Sequence, residues 1–340
     1  MPMISQLAEF ILYADDANII VTGKDLREAE EKISNLIPVL LNWIARNGLK
    51  LNIKKTKYLI FSNHAKHDLD ITISGCQIER KTSERFLGII MDENLNWNAH
   101  RSALATKISR NAAILFKLRG TVPLQILRTL YFSFIQSHLC FCPSVWGLGS
   151  QNSLIKIFSA QKKAIRGISS GYSNYYYNKD TGEIPSHTKR TFNENDILTV
   201  HNLILLQTMT TMSKVYRNIT PIAIRSLFTK NATTTFPHER RTTICHFTIH
   251  RTRLASEDST IFNKGPRLFN NLVDVINATI VAENSRLKDD KHRQLLLQNK
   301  FTNSFKTKLK TYLLSKQKLG SHEFWTPENL VIYKTINFSK

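Results

Sequence analysis

Two short apolar runs near the start of the chain flank a turn-like segment with two adjacent aspartates. Residues 9–13 and 18–22 are rich in aromatic and aliphatic side chains, a composition typical of strands. Residues 14–17 between them predict a tight turn that joins the two strands into a β-hairpin. The hairpin would carry Tyr13, Ala14, Asp15 and Asp16 at its tip.

An amphipathic helix is predicted next. Apolar residues recur at every third or fourth position between residues 26 and 44, which is the period of an α-helix that buries one face. Asp25 is placed to cap the N-terminus of this helix, with Glu28 three residues later. Gly48 is placed to end it.

Strands and then helices are predicted for the rest of the chain. The strand patterns cover residues 57–61, 69–78 (a hairpin) and 86–91, and the helical patterns cover 99–118, 123–141, 154–168, 194–217, 266–276 and 295–315. A tyrosine-rich loop is predicted over 169–185, and 229–262 is expected to be irregular or weakly β. The fold class is therefore α+β, with an α+β region over 1–92, a helical region over 93–170 and a mainly helical, basic region over 171–340.

The charge of the chain points to a polyanionic partner. Its 340 residues include 47 Lys and Arg against 26 Asp and Glu, for a formal charge of +21. Nucleic acid fits this excess better than a membrane surface, since the cations do not form one amphipathic stripe. No apolar run approaches the roughly 18 residues of a membrane span. Four irregularly spaced cysteines and the lack of a leader pattern predict an intracellular protein, in the nucleus or the cytoplasm.

Three motifs in register resemble a known enzyme family. Residues 13–16 (YADD), residues 48–52 followed by Lys55-Thr56, and Phe86-Leu87-Gly88 occur in the order and spacing seen in reverse transcriptases. The chain resembles the last part of the palm in reverse transcriptases of non-LTR (LINE-type, Jockey/CR1-like) retrotransposons. The resemblance implies a partial polymerase palm, made of a β-hairpin, a helix and a small antiparallel sheet, followed by a mainly helical thumb and C-terminal region.

Later segments extend the resemblance. Residues 130–132 with 142–147 resemble a thumb-region segment of these proteins, and residues 305–310 resemble the basic helix that closes them. Residues 265–272 resemble their C-terminal block, in which a tryptophan is usual at the position of Phe269. None of these segments has an assigned chemistry.

The resemblance implies a mechanism and roles for particular residues. Two Mg²⁺ (or Mn²⁺) ions would clamp an in-line phosphoryl transfer from a dNTP to a DNA primer on an RNA template. The implied catalytic residues are Asp15, Asp16 and Lys55, of which the two aspartates would be metal ligands and the lysine the general acid toward pyrophosphate. The implied primer-positioning residues are Tyr13, Ala14, Phe86, Leu87 and Gly88.

One carboxylate of the implied metal site has no counterpart. The resemblance places a further aspartate, together with the fingers, upstream of Tyr13, where the sequence has twelve residues. The aspartates Asp25, Asp68, Asp70 and Asp92 fall on elements that cannot replace it. We therefore expect a retrotransposon remnant that is inactive alone and whose sheet exposes an edge and a face. The alternative is a non-catalytic nucleic-acid-binding protein formed by the thumb and C-terminal region, and a third possibility is an unrelated helical protein.

Each candidate residue also has a simpler interpretation. Asp15 and Asp16 suit a solvated turn, and Lys55 suits a basic surface. His138, Cys140 and Cys142 alternate as on a strand and lack a nearby fourth ligand, so buried small side chains are favoured over a tetrahedral metal site. No Ser-His-Asp, P-loop or dinucleotide-binding pattern occurs.

Overall fold

The computed structural model describes residues 7–62, 67–149, 154–168, 187–230, 247–250 and 260–271, and within 306–314 residues 306, 307, 309–311, 313 and 314. The chain divides into two compact units, residues 1–95 and residues 96–340. Among the described residues, the first unit combines helix and strands and the second unit is mainly helical, so the described chain has α+β content. The predicted limits at residues 92 and 170 stay predictions.

The chain begins with the predicted hairpin, but its turn is shorter than predicted. Strand β1 (Glu9–Tyr13) pairs with antiparallel strand β2 (Asp16–Ile20), and Tyr13 lies opposite Asp16. The turn therefore contains Ala14 and Asp15 alone, and the prediction of a turn over 14–17 is wrong. Ala14 has a φ of 52°, and a left-handed residue at the first turn position allows strand pairing to resume after two residues.

Helix α1 (Leu26–Arg46) begins and ends where the sequence predicts. The Asp25 side chain accepts a hydrogen bond from the Glu28 backbone N–H at 2.8 Å, and the Glu28 carboxylate accepts one from the Lys24 N–H at 2.8 Å. The first bond satisfies a backbone donor that a helix N-terminus leaves without an intrahelical partner, and the second bonds the residue before the cap to the first turn. The helix is followed by Gly48, whose φ of 65° suits the left-handed residue at a helix end.

Six short strands complete the first unit. They form three two-stranded sheets: β3 (Lys57–Tyr58) parallel to β6 (Glu79–Arg80), β4 (Thr72–Ile73) antiparallel to β5 (Cys76–Gln77), and β7 (Ser83–Phe86) antiparallel to β8 (Ile89–Asp92). The prediction of one strand over 86–91 is wrong, because Leu87 and Gly88 have φ values of 45° and 88° and form a turn. The predicted strand over 57–61 shortens to two residues.

The core of the first unit lies against α1. Its buried side chains come from the region of β3 to β6 and are Ile60, Leu69, Ile71, Ile73 and Ile78. The apolar face of α1 packs against them through Ile33 and Ile37, among others. This arrangement accounts for the period of apolar residues in the sequence of α1.

Apart from helical residues within 306–314, the described part of the second unit consists mainly of the following helices. They are α2 (Asn98–Leu118), α3 (Leu124–Tyr131), a π-helix (Phe132–Gln136) that continues into α4 (Ser137–Leu139), α5 (Pro143–Trp146), α6 (Ile155–Gly167), α7 (His187–Glu194), α8 (Val200–Tyr216), α9 (Ile222–Arg225) and α10 (Ile261–Asn271). Helices α2 and α6 pack along each other, and α8 contacts α5, α6 and α10. None of the helices in the described ranges is long and apolar enough to cross a membrane.

Several predicted helix limits differ from the structure. The helix predicted over 123–141 ends at Leu139 and contains the π-helix. The helix predicted over 194–217 begins only at Val200, because Glu194 is the last residue of α7 and the chain turns at Asp196, whose φ is 54°. The helix predicted over 266–276 begins five residues earlier, at Ile261, with Pro266 inside it, and residues 272–276 lie outside the described residues. The predicted loop over 169–185 and most of the residues of the predicted helix 295–315 lie outside the described residues.

One buried glutamine connects three helices of the second unit. Gln161 of α6 is fully buried, and its Nε2 donates to the Tyr131 hydroxyl of α3 and to the Leu198 carbonyl, both at 2.9 Å. Its Oε1 accepts from the Val200 N–H at the start of α8 at 2.8 Å. The side chain is therefore satisfied at both ends, as a buried amide must be.

Candidate functional site

The two aspartates of the YADD motif lie at the exposed tip of the first hairpin. Asp15 is the second turn residue and Asp16 begins β2. Both are exposed, and Tyr13 beside them is 63% exposed. Within the described ranges neither carboxylate has an ion-pair or hydrogen-bond partner. Two adjacent carboxylates open to solvent are available to bind a hard cation such as Mg²⁺.

The hairpin behind this tip is open on its sides. Ile11, Leu12 and Ile20 are 42%, 44% and 42% exposed. Among the described residues no third strand pairs with β1 or β2. A two-stranded hairpin is marginally stable by itself in water. The expected exposure of an edge and a face is therefore present in the structure.

The other predicted site residues lie on two other turns of the first unit. Lys55 is the last residue of a 3₁₀ turn (Ile53–Lys55), is exposed, and donates its backbone N–H to the Asn52 side chain at 3.2 Å. Phe86, Leu87 and Gly88 form the end of β7 and the turn into β8. The structure brings Tyr13, Ala14, Asp15 and Asp16 together on one turn and places the remaining candidates elsewhere.

The other aspartates of this unit have structural roles. Asp25 caps α1, and Asp68 pairs with Arg80 at 3.0 Å, while Arg80 also pairs with Glu93 at 3.1 Å. Asp92 is buried and accepts from the Asn94 N–H at 3.1 Å. No group of three His, Cys, Asp or Glu side chains in the described ranges is arranged to hold a metal ion. Asp15 and Asp16 thus fit the ligand chemistry of Mg²⁺, but the described residues do not complete a two-ion clamp.

The prediction for the His138–Cys142 segment is wrong in its secondary structure. His138 is helical, and the chain turns at Cys142, whose φ is 46°. Cys140 and Cys142 are free and exposed rather than buried on a strand. Partial burial of the two thiols nevertheless raises the pKa of each, so neither is an activated nucleophile. The pair Cys245-His246 lies outside the described residues.

The net positive charge of the chain comes from the second unit. Residues 1–95 have 12 Lys and Arg against 13 Asp and Glu, whereas residues 96–340 have 35 against 13. No acidic residue occurs between Glu93 and Asp180. In the described part of the second unit the acidic residues are Glu194 and Asp196. Within the described ranges the cations of the second unit therefore have only these two carboxylates with which to pair, and Arg128 lies 3.9 Å from one of them, Asp196.

Three of these cations form a line along α2. Lys107, Arg110 and Lys117 are exposed and lie on one side of the helix at spacings of three and seven residues, over about 15 Å at the helical rise per residue. We call them the α2 basic stripe. The buried positions of α2, such as Leu104 and Ile108, lie on another face of the helix. The three cations of the stripe would attract a row of phosphates.

Sequence reasoning missed three residues that organise the second unit. These are Gln161, His201 of α8, and Lys264 of α10, which donates to the Leu148 carbonyl at 2.7 Å. Gln161 and His201 are polar residues at positions that the helical period assigns to the core. A polar residue at a core position is the sequence feature that could have identified them. Nothing in the local sequence marks Lys264, since its partner is more than one hundred residues away.

Comparison with known proteins identifies relatives over part of the chain. The chain is 24% identical over 161 residues to the RNA-directed DNA polymerases from the mobile element jockey of Drosophila melanogaster and of Drosophila funebris, and 22% identical over 161 residues to the probable RNA-directed DNA polymerase from transposon BS of Drosophila melanogaster. Each alignment covers 46% of this chain and 18% of the relative. No protein-family model and no solved structure matches the chain. The chain is thus related to the RNA-directed DNA polymerases of retrotransposons.

Proposed function

We propose that the first unit is the metal-carrying part of an RNA-directed DNA polymerase palm and that the second unit binds nucleic acid. The observation that carries the first half is the pair Asp15 and Asp16, exposed at a hairpin tip and without ion-pair partners in the described ranges of a chain that has 47 cationic residues. The alignments to relatives named as polymerases support this assignment. The substrates are then an RNA template, a DNA primer and dNTPs.

The residues of the first unit divide the work as follows. Asp15 and Asp16 would hold Mg²⁺ or Mn²⁺, which when bound neutralises charge on the transferring phosphoryl group. Tyr13 and Ala14 would contact the primer terminus together with the β7–β8 turn, and the exposed Lys55 would donate a proton to the leaving pyrophosphate. Because the described residues supply two carboxylates, a complete site needs a further carboxylate from a strand placed beside the open hairpin. We therefore propose that the chain is inactive alone.

Metal binding at the hairpin tip tests this proposal directly. We expect Mn²⁺ to broaden the backbone amide signals of residues 13–17 in NMR spectra, because paramagnetic broadening is confined to atoms close to the ion. The double substitution Asp15→Asn, Asp16→Asn should abolish the broadening, because the amides do not supply the negative charge that a hard cation prefers.

The adjacent acidic pair Glu30 and Glu31 on α1 provides a matched control. Glu30→Gln, Glu31→Gln removes the same charge and should leave broadening at the hairpin unchanged. Loss of broadening in both double variants, or in neither, would contradict the assignment. Primer extension on an RNA template should show no incorporation by the wild-type chain above that of the Asp15→Asn, Asp16→Asn variant.

A second function, nucleic-acid binding without catalysis, is favoured by the net positive charge of the second unit, which the first unit does not share. The second unit has 35 cations against 13 acidic residues, and the α2 basic stripe is exposed. Each phosphate neutralised by a protein cation releases counterions, so the affinity of such a surface falls steeply with salt. This function needs no third carboxylate, and the chain would retain it even if the palm is incomplete.

We expect the α2 basic stripe to set part of that salt dependence. Replacing Lys107, Arg110 and Lys117 with glutamine should reduce the slope of log K against log[salt] for duplex DNA by roughly 2–3, because each lost phosphate contact removes about 0.9. Fluorescence anisotropy over a range of KCl concentrations measures this slope. Arg46, Lys50 and Lys54, which are exposed cations of the first unit, form the control set. An equal loss of slope in the control variant would mean that the binding is not localised to α2.

A further inference from the structure

Helix α10 contains most of the C-terminal block, residues 265–272, to which the resemblance assigns no chemistry, and Leu268 and Phe269 of this block are in the core. Phe269 is 1% exposed, and its ring centre lies 5.3 Å from that of Tyr216 of α8 and 5.1 Å from that of Phe247. Asn270 pairs with the backbone of Phe247 in both directions: its Oδ1 accepts from the N–H at 2.9 Å and its Nδ2 donates to the carbonyl at 2.8 Å. Helix α10 is thus an integral part of the second unit.

The first turns of α10 approach α8 and the loop after α5. A Cβ added to Gly265 would lie 2.7 Å from the Met212 sulfur of α8, a distance that requires one of the two to move. One residue earlier, the Lys264 Nζ donates to the Leu148 carbonyl at 2.7 Å. Since Leu148 is 1% exposed, this ammonium group reaches toward the interior rather than into solvent.

Residues 146–149, which run from the last residue of α5 into this loop, are also bonded to α2; we call them the 146–149 loop. The buried guanidinium of Arg101 donates from Nε to the Trp146 carbonyl at 2.8 Å. Gly149 passes so close to this guanidinium that a Cβ there would overlap it. Trp146 is fully buried, with its indole N–H donating to the Phe141 carbonyl at 2.8 Å. Two cationic side chains, Arg101 of α2 and Lys264 of α10, are therefore each bonded to one carbonyl of this loop.

We infer that Lys264 is a positioning residue: with Arg101 it clamps the 146–149 loop, and through this loop α10 fixes α2. The two sequence blocks around residues 142–149 and 264–270 would then have one shared role. The clamp would hold α2, the helix that presents the α2 basic stripe. Its consequence for function rests on the proposed nucleic-acid binding. Lys264 itself would not contact phosphate.

Hydrogen exchange of the intact chain tests the clamp without a ligand. Lys264→Met keeps the length of the side chain but removes its donor and charge. We expect amide exchange in residues 98–104 and 146–149 to become about tenfold faster, since local opening no longer has to break this bond. Lys264→Arg should restore the protection, because a guanidinium can donate to the same carbonyl. Lys214→Met on α8, whose side chain is exposed, removes the same charge and should leave exchange unchanged.

Nucleic-acid binding by the same variants separates the clamp from the proposed function. Lys264→Met should weaken binding several-fold with an unchanged salt slope, because no phosphate contact is lost. Wild-type exchange rates in Lys264→Met would overturn the clamp. Faster exchange in a chain that never binds nucleic acid would sustain the clamp and refute the binding function instead.

A second pair of variants addresses the docking of α10 on α8. Gly265→Ala should speed exchange at 146–149 because its Cβ would crowd the Met212 sulfur, and overpacking a core forces neighbouring groups to shift. Adding Met212→Ala should restore part of the protection by making room. Equal exchange in Gly265→Ala and the wild type would overturn the proposed docking.

Discussion

Replacing Gln161 with leucine is expected to lower the free energy of unfolding of the second unit by about 4 kcal/mol, because buried groups left without a partner cost about 1–3 kcal/mol each. The substitution would strand the Val200 N–H, the Leu198 carbonyl and the Tyr131 hydroxyl, all of which bond to this amide. Leucine has a similar volume, so little of the loss would come from a cavity. The midpoint of urea denaturation, followed by tryptophan fluorescence, measures the change.

The matched control is Gln125→Leu on α3, since Gln125 is exposed. We expect it to change stability by less than about 0.5 kcal/mol, as surface substitutions usually do. Tyr131→Phe, which removes one member of the network, should cost about 1 kcal/mol. Similar midpoints for Gln161→Leu and Gln125→Leu would show that the buried amide does not join α3, α6 and α8.

Lowering the pH is expected to reduce the free energy of unfolding of the second unit, and we attribute this second large effect to His201. Burial lowers the pKa of His201 to about 3, whereas in the unfolded chain it lies near 6.5. The unfolded state therefore binds the proton more tightly. The contribution of neutral His201 to the free energy of unfolding is fully present above about pH 7 and is lost progressively as the pH is lowered toward 3. The expected loss is about 2 kcal/mol between pH 7.5 and pH 5 and about 4 kcal/mol by pH 3.

Urea denaturation at pH 7.5, 6 and 5 tests the assignment. His201→Phe removes the titration and keeps an aromatic ring against Phe158, whose ring centre lies 5.2 Å from that of His201. The variant should lose much less stability than the wild type over this range. The remaining loss should include a smaller contribution from His138, whose pKa is lowered by burial and by Lys107. A wild-type stability that is independent of pH down to 5 would contradict the prediction.

The parts of the fold that were predicted from the sequence are those with local causes. The hairpin, the start of α1 at Asp25 and its end before Gly48 depend on residues within four positions of each other, and turn and capping chemistry acts at that range. The β7–β8 turn was missed because residues 86–91 are uniformly apolar apart from Gly88. An apolar run does not show where left-handed residues will interrupt it.

The residues of the candidate site could be predicted from the sequence as motifs, but their arrangement in space could not. The order of Tyr13 to Asp16, Lys55 and Phe86 to Gly88 along the chain is evident from the sequence, but their spatial relation depends on long-range packing. The hydrogen bonds of Gln161 and of Lys264 join residues that are 30 to 116 positions apart in the sequence. Contacts of this kind leave no periodic signal, so sequence patterns cannot reveal them.

The open hairpin has a consequence for the behaviour of the chain at high concentration. Strand edges that have no neighbouring strand among the described residues, with Ile11, Leu12 and Ile20 exposed, are templates on which a second molecule can add its own strand, the first step of aggregation. Residues 7–22 include Glu9, Asp15 and Asp16 and no Lys or Arg. Two such hairpins therefore repel each other, so the carboxylates suited to a metal ion also act as gatekeepers against self-association.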